Sequence, residues 1–260
     1  MGESSKKLQR QNQIMQSLEF RRQMTATVEE LAAEFSLSPA TIRRDLEKLE
    51  TRGRIVRVMG GVRLLPMYPV VARNFEERSR INQPEKMRIV EKAIEYIPDN
   101  SVVILDNGTT SWLLSKKLKG KKNLTVITSS LPIVETLGKD NDIRLMMPGG
   151  VFRQRNLDFT GSRITEFFND ICADVAVMTC DSILPAKGVY KIDESSAILG
   201  HAMINAARQV FVVASHTKIG AYGTFRFLTP EKIGILFTGS GAPHNVTEQL
   251  KNGAFKTIYC

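Results

Sequence analysis

Hydroxyl and cationic side chains cluster near residue 40, where their types and spacing suit contacts with duplex DNA. The cluster consists of Ser38, Thr41, Arg43, Arg44 and Lys48. Arginine can donate two parallel hydrogen bonds to guanine O6 and N7, and a hydroxyl can bond a phosphate or a base edge. Two neighbouring arginines alone would more often be the solvated face of a helix, so the elements that carry them decide the interpretation.

Two predicted helices precede this cluster. Apolar residues at helical spacing predict the first over residues 6–23. Thr27, with Glu30 three residues later, forms a capping box that predicts the start of the second helix. A turn of three residues, 36–38, follows it. The turn therefore separates the second helix from the segment that carries the cationic cluster.

The third predicted helix carries the cluster itself. Ser38 is a good N-cap, and Pro39 suits the first helical position because its missing N–H costs nothing there. Ile42, Leu46 and Leu49 share the inward face and leave the cluster pointing outward. Two capped helices joined by a short turn are typical of a helix-turn-helix, which places its second helix in the major groove.

A β-hairpin is predicted directly after this helix. Gly53 ends the helix, and residues 54–64 alternate in polarity and turn at Gly60-Gly61. A hairpin beside a recognition helix is a wing, whose arginines can lie along the phosphate backbone or in the minor groove. These arginines are Arg54, Arg57 and Arg63. Residues 1–65 are therefore predicted to form a winged helix-turn-helix; a surface hairpin without a DNA role is the alternative.

The charge distribution also favours a nucleic-acid partner for this part of the chain. The formal net charge is +9 over 260 residues. Residues 1–80 hold 15 Lys and Arg against 10 Asp and Glu, a net +5, so less than a third of the chain carries more than half of the excess. The remaining residues share +4.

Several other classes of protein are disfavoured by the composition. The three cysteines, Cys172, Cys180 and Cys260, lack CxxC spacing, which favours reduced thiols in a cytoplasmic protein. The three histidines lack metal-ligand spacing, so no metal and no cofactor are expected. The start of the chain has no apolar signal segment, and no run approaches the roughly 18 apolar residues of a membrane span.

Apolar runs alternate with helical patterns from residue 84 to residue 260, after a predicted linker, 66–83, with room for a short helix. The predicted strands cover 102–105, 124–128, 143–147, 175–179, 210–214, 233–238 and 256–259. The predicted helices cover 84–97, 111–118, 131–138, 164–169 and 194–208. Continuous apolar strands with crossover helices predict an α/β domain with a mostly parallel sheet.

The ends of these strands are rich in glycine and hydroxyl side chains. Ligands of such folds bind at the carboxyl ends of the strands, and a helix start with free N–H groups suits a phosphate. The segments concerned are Asp106-Asn107-Gly108-Thr109-Thr110, Thr128-Ser129-Ser130, Gly149-Gly150 and Ser215-His216-Thr217-Lys218. Each segment alone would more often be an ordinary helix cap, but four together predict a phosphate-bearing small ligand.

The motifs closely resemble those of the DeoR-type family of bacterial sugar-catabolism repressors. The run Thr41-Ile42-Arg43-Arg44-Asp45-Leu46 is highly specific to that family, and Phe75 and Arg78 look like its Phe-x-x-Arg element. Met59 and Val62 depart from its usual wing residues. The resemblance continues through the strand-end segments to Gly188-Val189 with Glu194 and to Lys218-Ile219-Gly220.

The resemblance implies a sensor domain similar to ribose-5-phosphate isomerase that detects a phosphorylated sugar or a related metabolite. By that resemblance, Gly108, Thr109 and Thr110 would hold the phosphate, with Lys218 nearby and Asp106 accepting from sugar hydroxyls. The implied effector set is completed by Thr128, Ser129, Ser130, Gly149, Gly150 and Glu194. Ser129, Ser215 and Gly239 replace polar residues that are usual in the family. The chain therefore departs from the family in the part of the effector site that would recognise the sugar, and keeps the part that would hold the phosphate.

A sequence-specific transcriptional regulator of a carbohydrate-catabolism operon, in most such proteins a repressor, is the function that these observations predict. It would act as a homo-oligomer, a dimer or tetramer, on a repeated or palindromic double-stranded DNA operator. One alternative is an isomerase-like enzyme with Asp181 and Glu194 as candidate bases, although the final acid of the isomerase motif is missing. The other alternative is a DNA-binding protein without a ligand.

Overall fold

The protein is represented by a computed structural model, which describes most of the 260 residues. The described residues are 10–11, 13–15, 17–18, 21, 25–51, 55–58, 61–64, 74–221, 223–242, 244–251 and 253–260, without the side chains of 244–246. The chain divides into two compact units, residues 1–68 with 220–222 and residues 69–219 with 223–260. Each unit has its own hydrophobic core.

Three helices and a small antiparallel sheet make up the first unit. The helices are α1, which contains the described residues between 10 and 18, α2 (Val28–Glu34) and α3 (Pro39–Thr51). The strands are β1 (Thr25–Ala26), β2 (Ile55–Val58) and β3 (Gly61–Leu64), in the order β1-β3-β2. Both pairings are antiparallel, so β2 and β3 form the predicted hairpin.

The helical spacing of the apolar residues explains the core of the first unit. Ile42, Leu46 and Leu49 of α3 are buried, as their spacing predicts. They pack with Ile14 and Leu18 of α1 and with residues of α2 and the sheet. Gly61 is required for a close approach, because a Cβ atom there would overlap the backbone carbonyl of Ala26 on the neighbouring strand.

The second unit is built around a seven-stranded sheet in which every pairing is parallel. Its strands are β4 (Val102–Leu105), β5 (Leu124–Thr128), β6 (Ile143–Met146), β9 (Ala173–Met178), β12 (Ala207–Val213), β14 (Ile235–Thr238) and β15 (Lys256–Tyr259). Their order is β15-β14-β12-β9-β4-β5-β6. Successive residues of β4 are buried although they point to opposite faces, so both faces of the sheet are covered.

Helices and two smaller antiparallel sheets complete this unit. The helices are α4 (Phe75–Arg80), α5 (Gln83–Ala93), α6 (Thr109–Lys117), α7 (Leu131–Leu137), α8 (Ser162–Phe167), α9 (Glu194–Asn205) and α10 (His244–Lys251). The further strands are β7 (Val151–Arg153) with β8 (Asp158–Thr160), and β10 (Ser182–Leu184) with β11 (Gly188–Lys191) and β13 (Phe225–Leu228).

The predicted fold class, a winged helix-turn-helix with a mostly parallel α/β domain, is confirmed, with corrections at some element ends. Arg21 lies in a bend, inside the helix predicted over 6–23. α9 ends at Asn205 because Ala207 already pairs with Ala173 as part of β12. β14 begins after Ile233, whose N–H closes a 3₁₀ turn on Pro230. Gly53, Arg54, Met59 and Gly60 lie outside the described residues.

Candidate DNA-binding face and effector site

The start of α3 presents two hydroxyl groups. The N–H of Thr41 donates to Ser38 Oγ at 3.2 Å, which confirms Ser38 as a cap. The two hydroxyl oxygens lie 2.9 Å apart and both residues are partly exposed or exposed. One face of the first turn therefore offers two hydroxyls that can exchange their mutual hydrogen bond for one to a phosphate or a base.

The predicted cations of α3 are exposed. Arg43, Arg44 and Lys48 are all exposed on the face opposite to the buried residues. The guanidinium of Arg43 lies 3.9 Å from the carboxylate of Glu29 on α2. Arg44 has no ion pair or side-chain hydrogen bond within the described part of the chain, so its guanidinium is open to a partner with two acceptors.

Asp45, in the same run, faces the interior instead. Its side chain is fully buried and accepts from Arg10 Nε at 2.5 Å and from Gln11 Nε2 at 3.1 Å. These bonds attach α1 to α3 from inside the unit. Within the run 41–46, the two arginines therefore point outward and Asp45 points into the core. The residue types alone do not reveal this difference, because all three side chains are charged.

The wing places its described arginines at the surface. Arg57 is exposed and its Nε lies 3.1 Å from Glu50 Oε2 at the end of α3. Arg63 is half-buried and its backbone pairs with Thr25 of β1, a strand that the sequence interpretation missed. Arg54 lies outside the described residues. The wing therefore contacts α3 through Arg57 and Glu50 and pairs with a third strand, β1.

In the second unit, the loop between β4 and α6 begins with a buried carboxylate. Asp106 Oδ2 lies 2.6 Å from Lys191 Nζ and also accepts from the N–H and the hydroxyl of Thr179, while Oδ1 accepts from the N–H of Asn107. Burial opposes its ionisation, but Lys191 and the Thr179 bonds outweigh that effect and lower the pKa of Asp106. Asp106 is therefore ionised and holds together the ends of β4, β9 and β11.

Glycine and threonine follow this carboxylate at the start of α6. A Cβ atom at Gly108 would overlap the side chain of Thr179, so the close approach of the loop to β9 requires glycine. Thr109 and Thr110 are buried in the first turn of the helix. The first turn of α6 therefore carries both free backbone N–H groups and the Thr109 hydroxyl.

One lysine contacts Thr109, and a second lies close enough to the first to act on it through its charge. Lys86 on α5 is buried and donates to Thr109 Oγ1 at 3.0 Å and to the carbonyl of Arg78 at 2.6 Å. Burial lowers the pKa of Lys86 to about 8, and the charges of Lys218 and Arg78 add to the effect. Lys218 lies half-buried in the 3₁₀ turn His216–Lys218 after β12. The amino group of Lys86 therefore lies at the first turn of α6, with the charges of Lys218 and Arg78 nearby.

Buried hydroxyls surround the same strand ends. Thr128 Oγ1 donates to the carbonyl of Leu105 and accepts from the N–H of Ser130. The side-chain oxygens of Ser129, Ser130 and Ser215 are buried without a hydrogen-bond partner in the described part of the chain. Buried polar atoms are nearly always hydrogen-bonded, to protein or to another molecule, so these oxygens mark places where a partner is expected.

The hairpin of β7 and β8 forms another wall beside these hydroxyls. The N–H of Phe159 donates to the carbonyl of Ser129, and Ser130 and Asp158 form an isolated bridge. Asp158 is fully buried and its two carboxylate oxygens accept from Arg153 at 2.9 and 2.5 Å. Burial raises the pKa of Asp158, and Arg153 partly offsets that rise. This ion pair adds a charged group that sequence reasoning did not select.

The remaining predicted effector residues are exposed. Gly149 and Gly150 are exposed in the segment after β6, the edge strand of the sheet. Glu194 is exposed at the first position of α9. Within the described residues, no side-chain hydrogen bond joins Glu194 to the groups around Thr109. The predicted set is thus concentrated at β4, β5 and the Lys218 turn, and these three residues are its outlying members.

Family models match both units of the chain. Residues 10–66 match the DeoR-like helix-turn-helix domain, and residues 81–240 match the DeoR C terminal sensor domain. The second match alone spans more than half of the chain. The chain belongs to the DeoR family. It is therefore a DNA-binding transcriptional regulator with a sensor domain, as the motifs predict.

Curated relatives of this DeoR-family regulator align along most of its length. The glycerol-3-phosphate regulon repressor of Escherichia coli (strain K12) is 28% identical over 255 residues, 98% of this chain and 100% of the relative. The HTH-type transcriptional repressor CsqR of the same strain is 30% identical over 231 residues, 89% of this chain and 88% of the relative. The HTH-type transcriptional regulator IolR of Bacillus subtilis (strain 168) is 29% identical over 196 residues, 75% and 77% of the two chains.

Among solved structures, ribose 5 phosphate isomerase A from Neisseria gonorrhoeae superposes with a TM-score of 0.38 at 18% identity, covering 52% of this chain and 53% of that one. No helix among the described residues is long and apolar enough to span a membrane. The described residues also contain no group of three His, Cys, Asp or Glu side chains suited to a metal ion.

Proposed function

We propose that this DeoR-family regulator represses a carbohydrate-catabolism operon and that a phosphorylated sugar or a related metabolite releases it from its operator. The observation that carries the proposal is the hydrogen bond from Lys86 to Thr109, with the charge of Lys218 acting on Lys86 and unpartnered buried hydroxyls at the neighbouring strand ends. Cations at the start of a helix suit a phosphate, and hydroxyls suit the polar groups of a sugar.

The proposal gives different roles to the residues predicted from the sequence. Gly108, Thr109 and Thr110 would hold the phosphate together with Lys218, and Lys86 joins them because it already bonds Thr109. Thr128, Ser129 and Ser130 would face the remainder of the effector. Asp106 would position the loop, since four donors of the protein already occupy its carboxylate. Gly149, Gly150 and Glu194 stay outlying candidates.

In the first unit, Arg44 is proposed to contact a base directly, because it is exposed on α3 without an intramolecular partner in the described part of the chain. Ser38, Thr41, Arg43 and Lys48 would contact phosphates or bases from the same face. Arg54 and Arg57 would contact the backbone from the wing. A homo-oligomer, a dimer or tetramer, would present these groups in pairs to a repeated or palindromic operator in the cytoplasm.

We propose the domain boundaries that the sequence predicts: residues 1–65 bind DNA, 66–83 link the domains, and 84–260 bind effector and form the oligomer. The helix Phe75–Arg80 lies inside the proposed linker.

We also propose that the chain is not a catalyst. Asp181 accepts a hydrogen bond from the N–H of Ile192 and lies near the charge of Arg78, and Glu194 is open to solvent, so neither candidate is a buried carboxylate without a partner. Turnover of ribose 5-phosphate by the purified protein would contradict this proposal.

The test is a gel shift of the full chain on DNA upstream of its own and neighbouring genes, at fixed salt, with a panel of sugar phosphates. We expect one compound to release wild-type protein from a specific site. Thr109→Val should need roughly 10-fold more of that compound, or more, because a hydrogen bond to a charged group is lost, while its DNA affinity stays unchanged.

Thr165→Val, the same substitution on α8, is the matched control and should respond like wild type, because among the described residues the Thr165 hydroxyl bonds only the carbonyl of Gly161. A normal response of Thr109→Val would refute the assignment of the phosphate loop. Specific DNA binding that no compound affects, together with the absence of any thermal shift, would favour a regulator that acts without a ligand.

A further inference from the structure

Arg78 lies on the first described helix after the connection between the two units. Residues 65–73 join β3 to α4, whose start is defined by a capping box between Asn74 and Glu77. The N–H of Phe75 donates to the carbonyl of Arg155 at 3.0 Å. The Phe75 ring packs edge-on against Trp112 of α6, with the ring centroids 5.7 Å apart. α4 is thus attached to the helix that begins at Thr109.

The guanidinium of Arg78 is only partly bonded. Its Nη2 donates to Asn156 Oδ1 at 3.1 Å, but its Nε is buried and has no hydrogen-bond partner in the described part of the chain. Burial lowers the pKa of Arg78, and the nearby carboxylates of Asp181, Asp158 and Asp106 oppose that shift. An arginine presents Nε and one Nη side by side, a fork that fits two oxygens of a phosphate or carboxylate.

Arg78 also belongs to the cationic group at Thr109. Its carbonyl accepts from Lys86 Nζ, and its charge, like that of Lys218, lowers the pKa of Lys86. Three cations therefore lie near one another, and Glu85, the acidic neighbour of Lys86, is occupied by the backbone N–H and the ring of His216. Of the carboxylates near Arg78, Asp106 is paired with Lys191 and Asp158 with Arg153, which leaves Asp181 to oppose the three cations. The positive charge that remains attracts an anionic ligand.

We propose that Arg78 binds the anionic group of the effector through its Nε and Nη atoms, and that this contact transmits effector binding to the DNA-binding unit. The inference rests on the proposed effector site and adds to it the residue that couples the site to DNA. A ligand shifts an equilibrium only through contacts that differ between two states. A contact made by α4 can transmit effector binding in this way, because residues 65–73 connect the wing directly to the start of α4.

Arg78→Gln in the full chain tests the proposal, with Arg80→Gln as the matched control because Arg80 is exposed on the same helix. The compound found to release the wild type, and inorganic phosphate, are titrated by calorimetry, and operator release is followed by gel shift. We expect Arg78→Gln to bind the compound at least about 10-fold more weakly and to stay on the operator at saturation. Arg80→Gln should match the wild type in both measurements.

Wild-type affinity in Arg78→Gln, or full release of that variant at saturation, would overturn the inference and leave the effector site standing. If no phosphorylated compound binds the wild type, the proposed effector site itself fails and the inference fails with it. Should Arg78→Gln prove unfolded by its melting curve, Arg78→Lys keeps the charge but not the fork. We expect that variant to bind the compound yet release DNA incompletely, and wild-type release by it would equally contradict the proposal.

Discussion

Arg44 on α3 and Lys86 on α5 are both cations of proposed binding sites, but the fold surrounds them differently. Arg44 is exposed and solvated, and no described residue bonds its guanidinium. Lys86 is buried, donates to Thr109 and to the carbonyl of Arg78, and burial lowers its pKa to about 8. The same unit also holds two ion pairs with fully buried carboxylates, Lys191 with Asp106 and Arg153 with Asp158.

The difference reflects the two kinds of partner. DNA is a continuous polyanion, so exposed cations bind it by displacing counterions and need only be carried on a rigid helix. A small anion is held in a concave site by a few positioned groups, whose dehydration the fold must balance with internal ion pairs. Substitutions of the exposed cations in the first unit should therefore change DNA affinity and little else, whereas those of the buried charges in the second should also change the stability of the fold.

The largest expected effect is on folding, from Asp106→Ala. Removing one partner of a buried ion pair leaves Lys191 uncompensated, which should lower the free energy of unfolding of the second unit by about 3–5 kcal/mol. Urea unfolding of the full chain measures it, and adding Lys191→Met should recover part of the loss. Glu91→Gln, which breaks the exposed pair with Lys117, should cost less than about 1 kcal/mol. Equal losses of unfolding free energy in Asp106→Ala and Glu91→Gln would contradict the difference between the buried and the exposed ion pair.

Arg44→Ala should weaken specific DNA binding by roughly 1–3 kcal/mol if the contact to guanine is bidentate, without changing the melting temperature. Affinities for the operator and for a scrambled site, measured at one salt concentration, separate a base contact from a general charge effect. Arg208→Ala removes the same charge from an exposed position of the second unit and is the control. Unchanged operator affinity would remove Arg44 from the residues that contact bases.

Effector affinity should fall about 10-fold between pH 7 and pH 9, because Lys86 with a pKa of about 8 loses its proton in the free protein while a bound anion requires the ammonium. Burial, Lys218 and Arg78 lower the pKa of Lys86 and Glu85 raises it. The negative charge of a bound anion raises that pKa again, so binding above pH 8 takes up a proton. Calorimetry at pH 7, 8 and 9 measures the fall. Lys86→Met should bind weakly with a flat profile, and a flat profile in the wild type would contradict the role of Lys86.

Arg57→Ala should have the smallest effect, because DNA must first displace the intramolecular pair with Glu50. We expect an equal, weak loss on operator and unrelated DNA, with the slope of log affinity against log salt reduced by about 1. Arg57→Lys should keep the wild-type slope. A loss confined to the operator would instead assign Arg57 to sequence recognition.

Features that depend on neighbouring residues were predictable from the sequence. The capping box of Thr27 and Glu30, the Ser38 cap and the inward face of α3 all involve residues within two helical turns. The apolar runs of β4, β5 and β15 were predicted with their observed ends, because nearly uninterrupted apolar or β-branched residues mark them. The exposed face of α3 follows from the same periodicity.

Short strands and strands with exposed residues were not predictable in this way. β1 has two residues and exists only because β3 lies beside it. β7 has two exposed apolar residues. β10, β11 and β13 form a sheet in which paired residues lie up to 39 positions apart, as Val189 and Leu228 do. Their stability comes from cross-strand partners, not from a local pattern.

By itself, the sequence determined the fold class, the outward cations of α3 and the clustering of hydroxyls at strand ends, because these follow from periodicity and from the geometry of parallel sheets. Only the tertiary structure decided that Asp45 faces inward, that Lys191 neutralises Asp106 across 85 positions, and that Lys86 rather than a loop residue bonds Thr109. Those outcomes depend on which distant side chains share a buried volume, where an unpaired charge is costly and no local pattern identifies its partner.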